Sequence, residues 1–199
     1  MITDNELVQL CADSYHHATF SVGDCEAIIK YYDDCQVIAF RGTEMDGFFK
    51  KLGFIDVIRD MRMIPWYSKT LGWCHAGFLK GGRASAEYLD NKLDKSLPTY
   101  VTGHSMGAAV GLTCAATLVD MGYDVVKWVG VAGPKAQLFR NTFKGFQQVN
   151  YRYRGDIVPL MPRFTPYRHN YPVIQLREDN KRKATWDDHD IHWYLQYVL

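Results

Sequence analysis

The sequence predicts an α/β fold with a mainly parallel central sheet flanked by helices. Strand-like and helix-like segments alternate through the middle of the chain, as they do in βαβ units. A Gly-His-Ser-Met-Gly stretch at 103–107 stands where a strand-like run passes into a helix-like run. No internal repeat, low-complexity tract or linker interrupts the 199 residues. We therefore expect one domain, 1–199, without a separate cap domain.

Helices are predicted from the spacing of apolar residues and from signals at the helix ends. Thr3 or Asp4 can cap the first helix, and Gly122 closes the small-residue helix that follows the Gly-His-Ser-Met-Gly stretch. The predicted helices are 3–16, 76–95, 106–121, about 136–144 and about 189–198.

Strands are predicted from short β-rich or apolar runs. The polar pair Asp33-Asp34 separates the first two runs, which indicates a hairpin. The predicted strands are 26–32, 36–41, 99–102, 125–132, 148–154 and 173–176.

The composition excludes several classes of protein. The 23 Lys and Arg residues nearly balance the 22 Asp and Glu residues, so no strong field favours nucleic acid as a partner. Neither a signal peptide nor a run of roughly 18 apolar residues is visible. The five cysteines are odd in number and lack CxxC spacing, which favours free thiols in a reducing compartment. We expect a cytoplasmic protein, or one released without a visible signal, that is not transmembrane and meets membranes only peripherally.

The Gly103–Gly107 stretch has the pattern and the strand–turn–helix setting of a GxSxG nucleophile elbow. Gly103 and Gly107 leave room for the helix to press on the strand, so Ser105 can occupy a strained turn. The turn places backbone N–H groups and the positive end of the helix beneath a developing oxyanion. His104 is adjacent to the serine, which favours a supporting role over that of the base.

A serine nucleophile needs a histidine base and an orienting carboxylate, which follow it in the chain in this architecture. Asp156 lies just past a predicted strand, at the edge where such sheets carry functional loops. His189, at the start of the last predicted helix, is the preferred base. His192 competes with it, because spacing alone does not separate the two, and His169 is a third candidate.

At this point the chain resembles the class 3 lipase family of the α/β-hydrolase superfamily, over most of its length. The terminal Asp188-His189 segment, with Tyr194 and Leu195 after it, follows four landmarks in the same order and at similar spacing. Those landmarks are Phe40-Arg41-Gly42-Thr43, His75-Ala76-Gly77-Phe78, Gly103–Gly107 and Gly155-Asp156-Ile157-Val158-Pro159.

The resemblance implies an α/β-hydrolase fold and several site roles. Thr43 would supply one oxyanion-hole donor, and the backbone N–H of Met106 would supply the second. The pattern also favours His189 over His192. The segment at about 44–60 corresponds to the family's lid, although its apolar residues are equally consistent with an ordinary helix in the core. Those residues are Phe48, Phe49, Leu52, Phe54 and Ile55.

The sequence thus predicts a serine hydrolase that cleaves carboxylic esters of lipids through Ser105, Asp156 and His189. No metal or organic cofactor is expected, and the oligomeric state stays open. Arginines near Asp156 are consistent with a phospholipid headgroup, or simply with a solvated basic face; they are Arg152, Arg154, Arg163 and Arg168. The alternatives are a catalytically silent lipid-binding module on the same fold, and a thioesterase or acyltransferase with the same triad.

Overall fold

A computed structural model describes residues 2–42, 64–139, 145–176, 185–186 and 188–198. No helix in these ranges is long and apolar enough to cross a membrane. The elements are α1 (Asp4–Asp13), β1 (Phe20–Val22), β2 (Cys25–Tyr31), β3 (Gln36–Phe40), β4 (Pro65–Ser68), β5 (Gly72–His75), α2 (Ala76–Leu89), β6 (Thr99–His104), α3 (Met106–Asp120), β7 (Val125–Val131), β8 (Gln147–Tyr153), a 3₁₀ turn (Val158–Leu160), β9 (Val173–Leu176) and α4 (Ile191–Leu195).

Seven strands form one sheet in the order β1-β2-β3-β6-β7-β8-β9. β1, β2 and β3 pair antiparallel, and the remaining pairs along the sheet are parallel. The predicted mainly parallel sheet is therefore confirmed, and the hairpin predicted around Asp33-Asp34 is its β2–β3 pair. Every residue of β3 and of β6 is buried, because these strands lie inside the sheet with helices over both faces.

Helices cover both faces of the sheet, and the side chains of each strand alternate between them. In β3, Ile38 and Phe40 join the apolar cluster beneath α2 and α3. Val37 and Ala39 point the other way and join the cluster formed with α1 and α4. The result is a three-layer α/β/α arrangement in the described part of the chain.

The first helix begins with a capping box. The Thr3 hydroxyl accepts a hydrogen bond from the Glu6 backbone N–H at 3.2 Å, and the Glu6 carboxylate accepts one from the Thr3 N–H at 2.8 Å. These bonds satisfy backbone donors that the helix itself cannot pair. Of the two predicted caps, Thr3 is the one used.

The predicted helix at about 136–144 is wrong over its described part. Residues 136–139 are not helical, and Gln137 forms backbone bridges with Cys74 on one side and Arg168 on the other. The buried Gln137 side chain also donates to the Leu71 carbonyl at 3.2 Å. These long-range contacts override the local helical pattern.

Three other helices are shorter than predicted, and three strands were not predicted. α1 spans Asp4–Asp13, α2 ends at Leu89 and α4 spans only Ile191–Leu195. β1 and the separate β4–β5 hairpin had no clear signal in the sequence. All five cysteines are free thiols, as expected.

α2 packs directly on α3 at Gly82. A Cβ atom at this position would lie 2.5 Å from the backbone nitrogen of Cys114 and 2.2 Å from the Thr113 hydroxyl oxygen. Real Cβ atoms do not approach a backbone this closely, so the helix pair requires glycine here.

We expect Gly82→Ala to lower the free energy of unfolding by about 1–3 kcal/mol, because the two helices must separate. The neighbouring Gly81→Ala is a matched control, since the atoms nearest to its Cβ would be the Cys25 sulfur at 3.0 Å and Val110 methyl groups at 3.6 Å or more, all in side chains. Alanine favours a helix interior over glycine by about 1 kcal/mol. Equal destabilisation of the two variants in urea denaturation would contradict the close-packing interpretation.

Candidate active site

Ser105 forms the turn between β6 and α3. Its backbone has φ 56° and ψ −130°, a conformation that residues other than glycine rarely adopt. The residue is almost fully buried at 2% exposure. Such strain is tolerated where the surrounding structure enforces it, and it is concentrated at functional sites.

The two glycines of the motif permit this turn through close backbone contact. A Cβ at Gly103 would lie 2.4 Å from the Gly107 carbonyl oxygen, and a Cβ at Gly107 would lie 2.3 Å from that of Arg41. The first contact presses the helix on its own strand, as the sequence predicts. The second was not predicted, and it brings the end of β3 against the start of α3.

His189 lies between Ser105 and Asp156. Its Nε2 is 2.7 Å from Ser105 Oγ, and its Nδ1 is 2.7 Å from Asp156 Oδ2. The imidazole and carboxylate are both buried, with side-chain exposures of 3% and 0%. If Nδ1–H donates to the carboxylate, Nε2 is left to accept the serine proton.

Two further donors hold the Asp156 carboxylate. The Val158 N–H donates to Oδ1 at 2.8 Å, and the Tyr194 hydroxyl donates to Oδ2 at 2.6 Å. The Tyr194 oxygen in turn accepts the Tyr153 N–H at 3.1 Å. Burial, followed by the negative charge of Asp156, raises the pKa of Tyr194 well above its ordinary value. The hydroxyl therefore stays protonated and keeps donating.

A short segment that begins at Thr185 pairs with the backbone beside Asp156 and positions His189. The Thr185 N–H donates to the Gly155 carbonyl at 2.6 Å, and the Ile157 N–H donates back to the Thr185 carbonyl at 3.3 Å. The His189 N–H then donates to the Trp186 carbonyl at 3.1 Å. His189 consequently lies in the loop before α4, rather than inside the helix.

The other two histidine candidates do not contact Ser105. His192 is exposed on α4. The His169 ring is bonded to the Pro159 carbonyl at 2.8 Å and to the Tyr171 hydroxyl at 3.0 Å. Of the three, the structure brings only His189 together with the serine and the carboxylate.

A second histidine, His104, and a tyrosine, Tyr15, pack beside His189 and Ser105. The His104 ring stacks on that of His189, with centroids 4.7 Å apart. The Tyr15 hydroxyl accepts the Gly42 N–H at 3.1 Å and shares a hydrogen bond of 2.6 Å with His104 Nδ1. Burial, then the neighbouring His189, lowers the pKa of His104 well below its ordinary value, so this ring is neutral. Sequence reasoning missed Tyr15, because a tyrosine just past a helix gives no local signal of such contacts.

The structure describes one of the two residues that were predicted to form the oxyanion hole. Met106 is the first residue of α3, so its N–H is at the positive end of the helix dipole. Thr43 and the 44–60 segment lie outside the described residues. Gly42, immediately before Thr43, packs on the serine, since a Cβ there would be 2.8 Å from Ser105 Cβ. Within the described ranges, no group of three acidic, histidine or cysteine side chains could hold a metal ion.

The sequence model of the class 3 lipases matches residues 37–165, about two thirds of the chain. The protein belongs to the class 3 lipase family. This match makes it a carboxylic ester hydrolase of the lipase type. No curated protein sequence matches the chain.

Solved structures of fungal lipases share the fold. The triacylglyceride lipase of Rhizomucor miehei superposes with a TM-score of 0.64 at 20% identity, covering 87% of this chain and 80% of that one. The nonglycosylated LIP2 lipase of Yarrowia lipolytica has a TM-score of 0.62 at 17% identity, covering 88% of this chain and 79% of that one. The α/β-hydrolase fold expected from the sequence is thereby confirmed, and no separate cap domain is present in the described residues.

We expect Tyr15→Phe to lower kcat for ester hydrolysis about tenfold, because it leaves the Gly42 N–H and His104 Nδ1 unpaired next to Ser105. Kinetics would be measured well below the melting temperature. Tyr31→Phe is the matched control, because this tyrosine is 55% exposed on β2 and its hydroxyl donates to the Lys92 carbonyl, far from Ser105 in the sheet. A lowered Tm with unchanged kcat would show that Tyr15 serves stability alone.

We expect the protein to lose stability as the pH falls through about 6.5 towards 4. Burial, aided by the charges of Lys135 and Arg152, lowers the pKa of His169 from its ordinary 6.5 to about 4. The unfolded chain therefore binds this proton at a higher pH than the folded chain does, and acid favours unfolding. The contribution of His169 between pH 7 and pH 4 is about 3 kcal/mol.

Urea denaturation of His169→Gln and of the wild type across this range measures the effect. The free energy of unfolding of His169→Gln is expected to fall less steeply with decreasing pH than that of the wild type. His17→Gln, at an exposed position, is the control. If the free energy of unfolding changed with pH to the same extent in His169→Gln and in the wild type, the prediction would be contradicted.

Proposed function

We propose that the protein hydrolyses carboxylic esters of lipids with Ser105 as nucleophile, His189 as general base and Asp156 as the orienting acid. The observation that carries the proposal is the continuous chain of hydrogen bonds from Ser105 Oγ through the His189 ring to Asp156, with both contacts at 2.7 Å. A serine hydroxyl is a weak nucleophile unless such a base takes its proton.

The reaction proceeds in two steps. His189 Nε2 takes the Ser105 proton as the oxygen attacks the ester carbonyl, and Asp156 stabilises the imidazolium that forms. The imidazolium then protonates the leaving alcohol, and an acyl-enzyme remains. Water, activated by the same histidine, releases the acid and restores the serine.

The oxyanion is held by backbone N–H groups at the start of α3 and at the end of β3. The N–H of Met106 is the first proposed donor and Thr43 is the second. The close packing of Gly42 on Ser105 supports this, because Thr43 follows Gly42 directly. Loss of one such donor typically costs about 2.7–4 kcal/mol of transition-state stabilisation.

Exposed aromatic side chains support a lipid substrate. The connection from β3 to α2 includes the β4–β5 hairpin. Three of the hairpin's aromatic side chains are about half exposed: Trp66 at 47%, Tyr67 at 58% and Trp73 at 46%. Phe164, on the loop after Asp156, is fully exposed. Large exposed apolar side chains that lie close together are typical of surfaces that meet lipid or protein, and Tyr67 and Trp73 are in edge-to-face contact.

The catalytically silent module is the weaker alternative. A protein that only bound lipid would gain nothing from three donors on a fully buried Asp156, because burying a carboxylate costs free energy. A thioesterase or acyltransferase could use the same groups, and substrate tests separate these activities.

Labelling by a serine-directed fluorophosphonate tests the proposal. We expect wild-type protein to be labelled, and Ser105→Ala to lose both the label and the hydrolysis of p-nitrophenyl butyrate. His189→Ala is expected to lose about 10³-fold or more in kcat. His192→Ala, three residues along the chain, is the matched control and should stay within about twofold of wild type because its side chain is exposed. Ser105→Ala protein with wild-type activity would overturn the proposal.

A further inference from the structure

Two cationic residues, Lys135 and Arg152, lie where β7 and β8 end. The Asn150 side chain on β8 holds the backbone of Gly133, accepting its N–H at 3.1 Å and donating to its carbonyl at 3.2 Å. Arg152 lies two residues further along β8, so its side chain emerges on the same face as Asn150. Lys135 lies two residues beyond Gly133. Lys135 and Arg152 are close enough for their charges to interact.

A third cation reaches the same place from the loop after Asp156. The Lys135 N–H donates to the Met161 carbonyl at 2.8 Å, which holds the segment that carries Arg163 against Lys135. Burial, followed by the positive charges of Arg152 and Arg163, lowers the pKa of Lys135. The three side chains thus interact electrostatically, as a cluster rather than as separate surface charges.

Nothing in the described ranges neutralises this cluster. None of the three cations forms an ion pair there, although Arg41 and Lys95 each pair with a carboxylate elsewhere. The Arg152 Nε is buried and has no hydrogen-bond acceptor among the described residues. The adjacent His169 is neutral at pH 7 and bonds only Pro159 and Tyr171. A buried donor on a charged group is costly to leave unpaired, so the cluster is poised to bind an anion.

We propose that Lys135, Arg152 and Arg163 form a binding site for a phosphate-type oxyanion. A tetrahedral oxyanion has acceptor oxygens for the two guanidinium groups and for the ammonium at once. The site borders the loop that carries Asp156, which suits the phosphate of a phospholipid whose ester is cleaved at Ser105. This headgroup role rests on the proposed function, whereas oxyanion binding does not.

Binding of inorganic phosphate tests the site without relying on catalysis. The probe is titrated into Ser105→Ala protein by calorimetry, against sodium chloride of equal ionic strength. The variant Lys135→Ala/Arg163→Ala removes two exposed or half-exposed cations. The control variant Lys30→Ala/Lys92→Ala removes the same amount of charge near the other edge of the sheet, where both lysines are exposed. We expect the first variant to bind phosphate at least about tenfold more weakly and the second to be unchanged. Equal affinities in all proteins, or no phosphate binding to the parent, would overturn the proposal.

Steady-state kinetics distinguish a lipid headgroup from free phosphate. Soluble dihexanoyl phosphatidylglycerol is compared with p-nitrophenyl butyrate in a wild-type Ser105 background. A headgroup site predicts that Lys135→Ala/Arg163→Ala raises KM for the phospholipid about tenfold and leaves p-nitrophenyl butyrate hydrolysis within about twofold. Weakened phosphate binding with an unchanged phospholipid KM supports the site but assigns it to free phosphate. If the wild type cleaves neither ester, the proposed function fails, and the phosphate titration still decides the oxyanion site.

Discussion

The candidate active site depends on the close approach of three backbone segments around Ser105. The end of β6, the start of α3 and the end of β3 meet there with only glycine hydrogens between them. Cβ atoms at Gly42, Gly103 or Gly107 would lie within 2.8 Å of a neighbouring atom. This contact holds Ser105 at φ 56° and sets the position of its hydroxyl. Every other group of the site must be brought to that position.

The last part of the chain reaches the serine through the Asp156 carboxylate. A fully buried carboxylate is stable only when charge-assisted hydrogen bonds replace its lost hydration. Here the donors come from Val158 in the 3₁₀ turn, His189 in the loop before α4 and Tyr194 in α4. The same buried group therefore orients the histidine and ties α4 to the sheet. The cluster of Lys135, Arg152 and Arg163 borders the loop after Asp156, and only Arg163 belongs to it.

The sequence by itself determined the features that depend on local patterns. The GxSxG spacing and the small residues after it predicted the strand–turn–helix around Ser105, because the glycines are required by the turn itself. Buried strands such as 125–132 and 36–41 were predicted to within one residue, since a short run of apolar residues between turn signals is typical of a buried strand. Asp156 was predicted as the candidate acid because it follows a strand at the functional edge of a parallel sheet.

Only the tertiary structure decided between residues with the same local pattern. His189 and His192 are three residues apart, and the backbone bonds of Thr185 beside Gly155 determine which one faces the serine. Tyr15, just after α1, contacts Gly42 and His104, which are 27 and 89 positions away in the chain, so no local window contains these contacts. Residues near Gln137 have a helical sequence pattern but pair instead with Cys74 and Arg168, which are distant in the chain. Secondary structure follows from neighbours in sequence, whereas the contacts of a catalytic site follow from neighbours in space.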